Sequence, residues 1–418
     1  MSDPLAAAPR LFQNRPFRLF WASRFLINLA VAAESVTIGW QVYAVARQSY
    51  DVKQGAFLVG MVGLVQFAPL FLLTLTAGEV ADRRDRKMVV MLCLAAEIVC
   101  VIGLAALALH PRPSLAPIFA IAALFGAARA FLIPASSAIG PMLVPKEMLP
   151  RAIAWNSLGF QAAAVTGPLV GGLLCAVNPS LSFTVSGGLY AVACLLLLGL
   201  GVDTKPPPPT AGSRIAAIKE GLAYVWTNKI VLGATSLDLF AVLLGGATAL
   251  LPVFARDILQ VGASGFGILR AAPAAGAAIV AAVLSRQPIH RHAGKWLFGG
   301  VAIFGVATLV FALSRSLWLS FAALAVLGAA DMISVFIRTS LVQIVTPNPM
   351  RGRVSAVSNL FIGASNELGE FESGVAARLL GPIGAAIFGG IGSLVVTGAW
   401  AKMFPSLWRA NDINDPES

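Results

Sequence analysis

The sequence predicts an all-α integral membrane protein, with twelve transmembrane helices arranged as two pseudo-symmetric six-helix bundles. Three observations predict it. First, a single offset of 202 residues lays the segment 126–174 on 328–376 without a gap, pairing Gly126 with Gly328, Pro145 with Pro347, Met148 with Met350, Arg151 with Arg353 and Gly172 with Gly374. Each copy reads as two apolar segments joined by a short turn containing Pro and Arg, and repeated membrane hairpins are a common building unit of transporters. Second, 58% of residues are hydrophobic and only 12% charged, and apolar runs long enough to cross a bilayer recur from end to end. Third, the cations alternate between loops, as set out below.

Taken in order, the spans fall near residues 17–46, 55–78, 88–110, 115–144, 152–177, 181–201, 229–255, 264–285, 295–313, 317–346, 354–377 and 382–402. About twenty Lys and Arg lie in the N-terminus, the even-numbered connections and the C-terminus, among them Arg10, Arg15, Arg18, Arg83, Arg84, Arg86, Lys87, Arg286, Arg291, Arg351 and Arg353. About six lie in odd-numbered connections: Arg47, Lys53, Arg112, Arg256, Arg315 and Arg378. By the positive-inside rule both termini are cytoplasmic, and the expected location is the cell inner (plasma) membrane. This distribution explains the net charge of +11 and argues against nucleic acid as a partner. The first 16 residues are polar and basic, and the first apolar run is too long for a cleavable signal, so it stays as the first span. Cys93, Cys100, Cys175 and Cys194 all fall inside spans, without metal-ligand spacing, and read as small core packers.

Residues 1–202 form the first bundle, 203–228 a cytoplasmic linker, and 229–418 the second bundle with a short tail. The linker opens on Lys205 and the run Pro206 to Pro209, an extended spacer that cannot continue a helix. Beyond it Ile215, Ile218, Leu222, Val225 and Trp226 recur at helical spacing, with Arg214, Lys219 and Glu220 facing elsewhere. This predicts a short amphipathic helix at the cytoplasmic interface, with docking of a partner as the alternative.

The connection between spans two and three reads Gly78-Glu79-Val80-Ala81-Asp82-Arg83-Arg84-Asp85-Arg86-Lys87. Gly78 permits close helix approach, and Asp82 with its neighbouring cations makes a compact charge cluster, which read alone could simply anchor the membrane face. At these residues the chain resembles the major facilitator superfamily, whose loop has the form G-x-x-x-D-R-x-G-R-R/K. Gly78, Asp82, Arg83, Arg86 and Lys87 match, and Asp85 stands where the pattern usually has Gly. That variant is similar to the enterobactin-exporter-like branch. The resemblance covers 17–403 and implies the major facilitator fold, with this loop latching the cytoplasmic side against the start of span eleven at Arg351-Gly352-Arg353. A carboxylate there would meet a positive helix end and two cations. The second half's counterpart near Arg286, Arg291 and Lys295 lacks the aspartate.

Span five carries Gly159 and the run Gly167-Pro168-Leu169-Val170-Gly171-Gly172. Small residues let another helix approach and Pro168 frees a carbonyl, although both residue types are common in membrane helices anyway. The run resembles the antiporter signature of drug-proton exporters in the same superfamily, with Ala163 where the full pattern has Gly.

Ionisable side chains inside spans are costly and mark candidate function. The carboxylates are Glu34, Glu97, Asp238, Asp331, Glu367, Glu370 and Glu372; the arginines are Arg24, Arg129, Arg270 and Arg338. Spans one, four, seven and ten line the central cavity in the family resembled, and Glu34, Arg129, Asp238, Asp331 and Arg338 fall on them. Arg129 and Asp331 are equivalent under the 202-residue offset. Asp331 and Arg338, seven apart, share a helix face, as do Glu34 and Gln41. We expect these residues to line a substrate and proton pathway, structural ion pairing being the competing reading. Span eleven adds Asn366, Glu367 and Glu370 in one stripe, with Glu372 nearby. Clustered carboxylates suit reversible protonation, and pairing to Arg338 or Arg270 is the alternative.

Neither a phosphate-binding G-x-x-x-x-G-K-S/T loop nor ligand spacing around His110, His290 and His292 occurs, so no cofactor, metal or enzymatic activity is expected. The expected partners are a small-molecule substrate, protons and the lipid bilayer, with the chain a monomer. The expected function is secondary active transport, by proton-coupled export of a small amphipathic drug or siderophore-like molecule through alternating access. A lysophospholipid flippase or an uptake symporter would share the fold.

Overall fold

In a bilayer core the backbone must satisfy its own hydrogen bonds, so long apolar segments become helices. The computed structural model describes residues 8–111, 113–205, 214–287, 289, 291–348 and 350–410; Arg112, Pro206 to Pro209 and His290 lie outside them. The helices are α1 (Ala8–Gln13), α2 (Arg15–Ala46), α3 (Val52–Arg83), α4 (Arg86–Leu109), α5 (Leu115–Ile139), α6 (Leu149–Val177), α7 (Pro179–Leu198), α8 (Arg214–Thr227), α9 (Lys229–Leu244), α10 (Leu251–Val253), α11 (Gly262–Arg286), α12 (Ala293–Leu313), α13 (Leu317–Val345), α14 (Arg351–Met403) and α15 (Pro405–Arg409).

Among the described residues, eleven helices are long and apolar enough to cross a membrane. The last, α14, has 53 residues. At about 1.5 Å per residue it would be about 80 Å long, well over twice a bilayer core of about 30 Å. It is two spans, divided where Gly381 takes φ 80° and ψ 165° ahead of Pro382. A positive φ of this kind suits only glycine, and the following proline cannot donate a helical hydrogen bond. Spans eleven and twelve are thereby separated, and the crossings number twelve.

Span seven departs from the continuous helix expected over 229–255. α9 stops at Leu244, and a short 3-10 turn (Ala247–Leu250), α10 and a π turn (Phe254–Ile258) complete the crossing. The break sits at Gly245-Gly246, where side chains have no room. A Cβ on Gly246 would fall on the backbone of Gly369 in α14, and one on Gly245 against Phe304 in α12.

The chain divides into two compact units, Met1–Val45 with Val65–Thr210, and Ala46–Leu64 with Ala211–Ser418. In the first, α4 packs on α5 and α7. In the second, α13 packs on α11 and α12, and α14 on α9 and α12, around a core that includes Leu237, Leu297, Phe298, Ile337 and Leu341. Two devices repeat at positions equivalent under the offset. Gly126 of α5 lies so close to the Gln66 carbonyl of α3 that a Cβ would overlap it, and Gly328 of α13 lies likewise on the Pro273 carbonyl of α11. The Leu143 carbonyl accepts from Asn14 Nδ2 at 2.8 Å, while its equivalent, the Val345 carbonyl, accepts from the Tyr224 hydroxyl at 3.0 Å. In both units a segment preceding the first span therefore caps the end of the fourth.

The amphipathic helix expected after the linker is α8; the side chains of Ile215 and Ile218 lie outside the described residues. Val225 is buried with Val231, Val342, Val354 and Val357, while Leu222 and Trp226 are exposed. At Gly221 the bare Cα lets α8 lie directly on the Arg353 backbone. The Glu220 carboxylate pairs with Arg353 Nη1 at 2.5 Å beside it.

Candidate functional site

In the first unit, charge is concentrated on Arg129, which α5 projects among apolar helices. Its Nη2 lies 2.5 Å from Glu34 Oε1 of α2, and its Nη1 donates to Gln66 Oε1 of α3 at 3.2 Å. Its Nε lies 4.0 Å from Glu97 Oε1 of α4. The Tyr190 hydroxyl of α7 donates to the other Glu34 oxygen at 2.9 Å. Glu34 and Glu97 are wholly buried, and Arg129 retains a small exposed edge. Three helices thus meet the guanidinium carried by α5, a fourth reaches it through Glu34, and there are two carboxylates to one cation. One helical face below Glu34, Gln41 is buried, and neither end of its amide finds a hydrogen bond among the described residues.

The second unit carries its own cluster. Arg338 Nη1 of α13 lies 3.0 Å from Asp238 Oδ2 of α9, both nearly completely buried. Asp331 does not pair with Arg338, although the two share a helix face. It lines a small cavity with Asp238, Gly300, Phe304 and Ser334. Within the first unit Glu34 thus pairs with Arg129, and within the second Arg338 pairs with Asp238 beside Asp331.

The stripe on span eleven is split. Glu370 lies 3.4 Å from Arg270 Nη2 of α11, which matches the pairing alternative. Asn366 is exposed and Glu367 half-buried. Within this unit α3 begins against the same part of α14. Gly60 meets Gly374 backbone to backbone, Gly63 faces Glu370, and the Arg378 guanidinium sits 5.1 Å from the centre of the Phe57 ring. Nearby, Arg47 pairs with Asp257 at 3.5 Å.

The turn between α3 and α4 is organised by Asp85, the residue that departs from the family pattern. Its carboxylate caps α4 by accepting from the Lys87 amide at 3.0 Å, and it also accepts from the buried Thr204 hydroxyl. A carboxylate at this helix start meets both free amides and the positive end of the dipole. Arg86 donates to the Ala81 carbonyl at 3.2 Å and the Ala138 carbonyl at 3.3 Å, and Lys87 Nζ to the Leu198 and Leu200 carbonyls at 3.3 and 3.4 Å. These two cations tie the start of α4 to the ends of α5 and α7. Arg83 is exposed and pairs with Glu79 at 2.9 Å, Gly78 is buried, and Asp82 is half-buried.

In span five, a Cβ on Gly167 or Gly171 would run into Ala32 or Ala33 of α2, and Gly159 faces the Trp21 ring. Gly172 and Pro168 are buried in the same helix.

Comparison with known proteins bears on all of this. A family model described as "Transmembrane secretion effector" matches residues 6–415. The chain belongs to the major facilitator superfamily. It is 25% identical over 390 residues to the enterobactin exporter EntS of Shigella dysenteriae serotype 1 (strain Sd197), covering 92% of this chain and 91% of that protein. The same figures hold for the enterobactin exporter EntS of Escherichia coli O1:K1 / APEC. Among solved structures, a POT family transporter in complex with 5-aminolevulinic acid is similar with a TM-score of 0.73 at 13% identity, covering 94% of this chain and 96% of that one. A bacterial homologue of the human lysosomal transporter Spinster, in an inward-facing and unoccupied conformation, gives 0.70 at 15% identity, with the same coverage. These structures share the fold. The protein is thus a multi-pass membrane transporter of this superfamily.

In this transporter, sequence reasoning left three participants unassigned: Glu97, Gln66 and Tyr190. Glu97 was visible as the lone carboxylate of span three, and a carboxylate so placed requires a cation from a neighbouring helix. Tyr190 and Gln66 gave no such signal, since each is an ordinary residue in a membrane helix until its facing partner is known.

Proposed function

We propose that this transporter exports a small amphipathic, siderophore-like molecule in exchange for protons, alternating between inward- and outward-facing states in the cell inner membrane, as a monomer with both termini cytoplasmic. The observation that carries the reading is the alignment with enterobactin exporters over 92% of the chain. The geometry supports it through buried, unequal charge: two carboxylates share Arg129 in one unit, and two carboxylates share a cavity near Arg338 in the other. Charge so buried is costly and is retained in membrane proteins for ion or substrate movement.

In this reading 1–202 and 229–418 are the two repeated bundles, joined by the linker 203–228, and each swings about a site near the membrane midplane. Glu34, Gln41, Arg129, Asp238, Asp331 and Arg338 line the pathway, the unsatisfied amide of Gln41 being available to a polar group of the cargo. Asn366, Glu367 and Glu370 add a polar strip on span eleven. Gly78, Asp82, Arg83, Arg86 and Lys87 form the cytoplasmic gate, in which Arg86 and Lys87 hold the first bundle rigid while Asp82 engages and releases. The bare face of Gly167, Pro168, Gly171 and Gly172 keeps spans one and five in close register during the swing.

The test is uptake into inverted vesicles carrying the protein, with and without an acid-inside pH gradient, against enterobactin, amphipathic drugs and lysolipids. Accumulation of enterobactin or a drug that requires the gradient is expected. Movement of lysolipid alone, or cargo leaving the vesicles with the gradient, would replace this reading by a flippase or an uptake symporter.

A further inference from the structure

Asp331, a half-buried carboxylate of the second unit, has no cation to itself after Arg338 is paired. Arg338 is committed to Asp238 at 3.0 Å, with side chains 4% and 6% exposed. Asp331, on the same helix as Arg338, lines the cavity with Asp238 but forms no hydrogen bond or ion pair among the described residues. The Ser334 hydroxyl borders the same cavity; the residue is 2% exposed, and the hydroxyl has no hydrogen-bond partner among the described residues. The rest of the lining is apolar, with Ala241, Val242 and Phe304 among it. Three of the other membrane carboxylates differ in this respect: Glu34 and Glu97 both lie against Arg129, and Glu370 faces Arg270.

Two carboxylates against one guanidinium leave one negative charge beside a mostly apolar lining, where an uncompensated charge is costly. The donor set then decides which cation. Calcium takes about six to eight oxygen ligands and magnesium a full octahedron. Here two carboxylates, one of them already occupied by Arg338, and one hydroxyl are too few for a metal ion. A proton needs only one carboxylate oxygen and a hydroxyl to receive its hydrogen bond. We propose that Asp331 is the residue that carries the coupling proton, with the Ser334 hydroxyl as its hydrogen-bond partner and the Asp238–Arg338 pair as its fixed neighbour. The assignment rests on the proton-exchange reading above and selects one carboxylate within it. The charged groups facing Asp331 are Asp238 from α9 and Arg338 from its own α13, whereas α12 presents only Gly300, Val301 and Phe304. When the proton joins an Asp331 oxygen the cluster becomes neutral; when it leaves, one negative charge returns to a cavity lined by Phe304, whose ring also lies against Gly245 at the break in span seven.

Infrared difference spectroscopy of the purified full-length protein reads this directly, without a substrate. The wild type should show a carboxylic C=O band at neutral pH that vanishes at alkaline pH, and Asp331→Asn should lack it. Ser334→Ala should keep the band but shift it to higher frequency, because the acid loses its hydrogen bond. A band unchanged in Asp331→Asn, a band unmoved in Ser334→Ala, or one abolished by sodium at constant pH overturns the assignment. In vesicles, Asp331→Asn should reduce gradient-driven uptake to the level without a gradient. Continued gradient-driven uptake by this variant overturns the assignment and leaves the exporter reading standing. A wild type that ignores the gradient removes both.

Discussion

Replacing Arg129 by methionine strips two buried carboxylates of their cation while keeping most of the apolar stem. Glu34 lies 2.5 Å from the guanidinium and Glu97 4.0 Å, and both are wholly buried. Charge centres about 4 Å apart attract by about 4 kcal/mol at an effective dielectric of about 20. Breaking a buried pair from one side costs about 3–5 kcal/mol, because the abandoned charge stays desolvated. Arg129→Met should therefore destabilise the fold by about 3–5 kcal/mol. Glu34→Gln should cost less, since Arg129 keeps Glu97 and Gln66 as partners. In the double variant the two losses should overlap, with a coupling of about 1–3 kcal/mol. The assay is unfolding by sodium dodecyl sulfate in mixed micelles, followed by near-ultraviolet circular dichroism on the wild type, both single variants and the double. Single losses that add to within about 0.5 kcal/mol, or an Arg129→Met midpoint equal to wild type, would refute the idea that this guanidinium holds the cluster together.

Other outcomes follow from the same geometry. Gly126→Ala and Gly328→Ala should each destabilise by about 1–3 kcal/mol or more, because a Cβ there meets a backbone carbonyl, and thermal unfolding should give the two similar penalties. Asp85→Ala should cost about 1–2 kcal/mol through the lost helix cap, and Thr204→Val should add little on top, since both remove one hydrogen-bonded unit; a denaturation cycle reads this. Asp82→Asn should abolish transport while membrane insertion stays normal, checked by vesicle uptake alongside protein level, and full activity would remove its gating role.

The span pattern was legible because bilayer thickness dictates length and apolarity, and the eleven long apolar helices fall close to the expected crossings, the last holding two of them. The break in span seven was harder to see. Gly245-Gly246 is an ordinary pair in a membrane helix until the backbone of Gly369 approaches it. The seat of α8 was hidden for a related reason: its contact with the Arg353 backbone is made by the absence of a side chain at Gly221, which counting apolar residues does not register. For the charged residues, helical spacing placed Asp331 and Arg338 on one face but could not choose the partner, which comes from α9 as Asp238. Spacing constrains which residues share a helix face, and packing between helices decides which of them meet.

The account stands or falls on exchange of cargo for protons. The most direct measurement is made on purified protein in liposomes, recording lumenal pH and enterobactin together after an acid-inside gradient is imposed. Enterobactin should enter as the lumen alkalinises, and a protonophore, which alkalinises the lumen without cargo, should abolish its entry. Cargo movement at the same rate and extent with the gradient collapsed would contradict it.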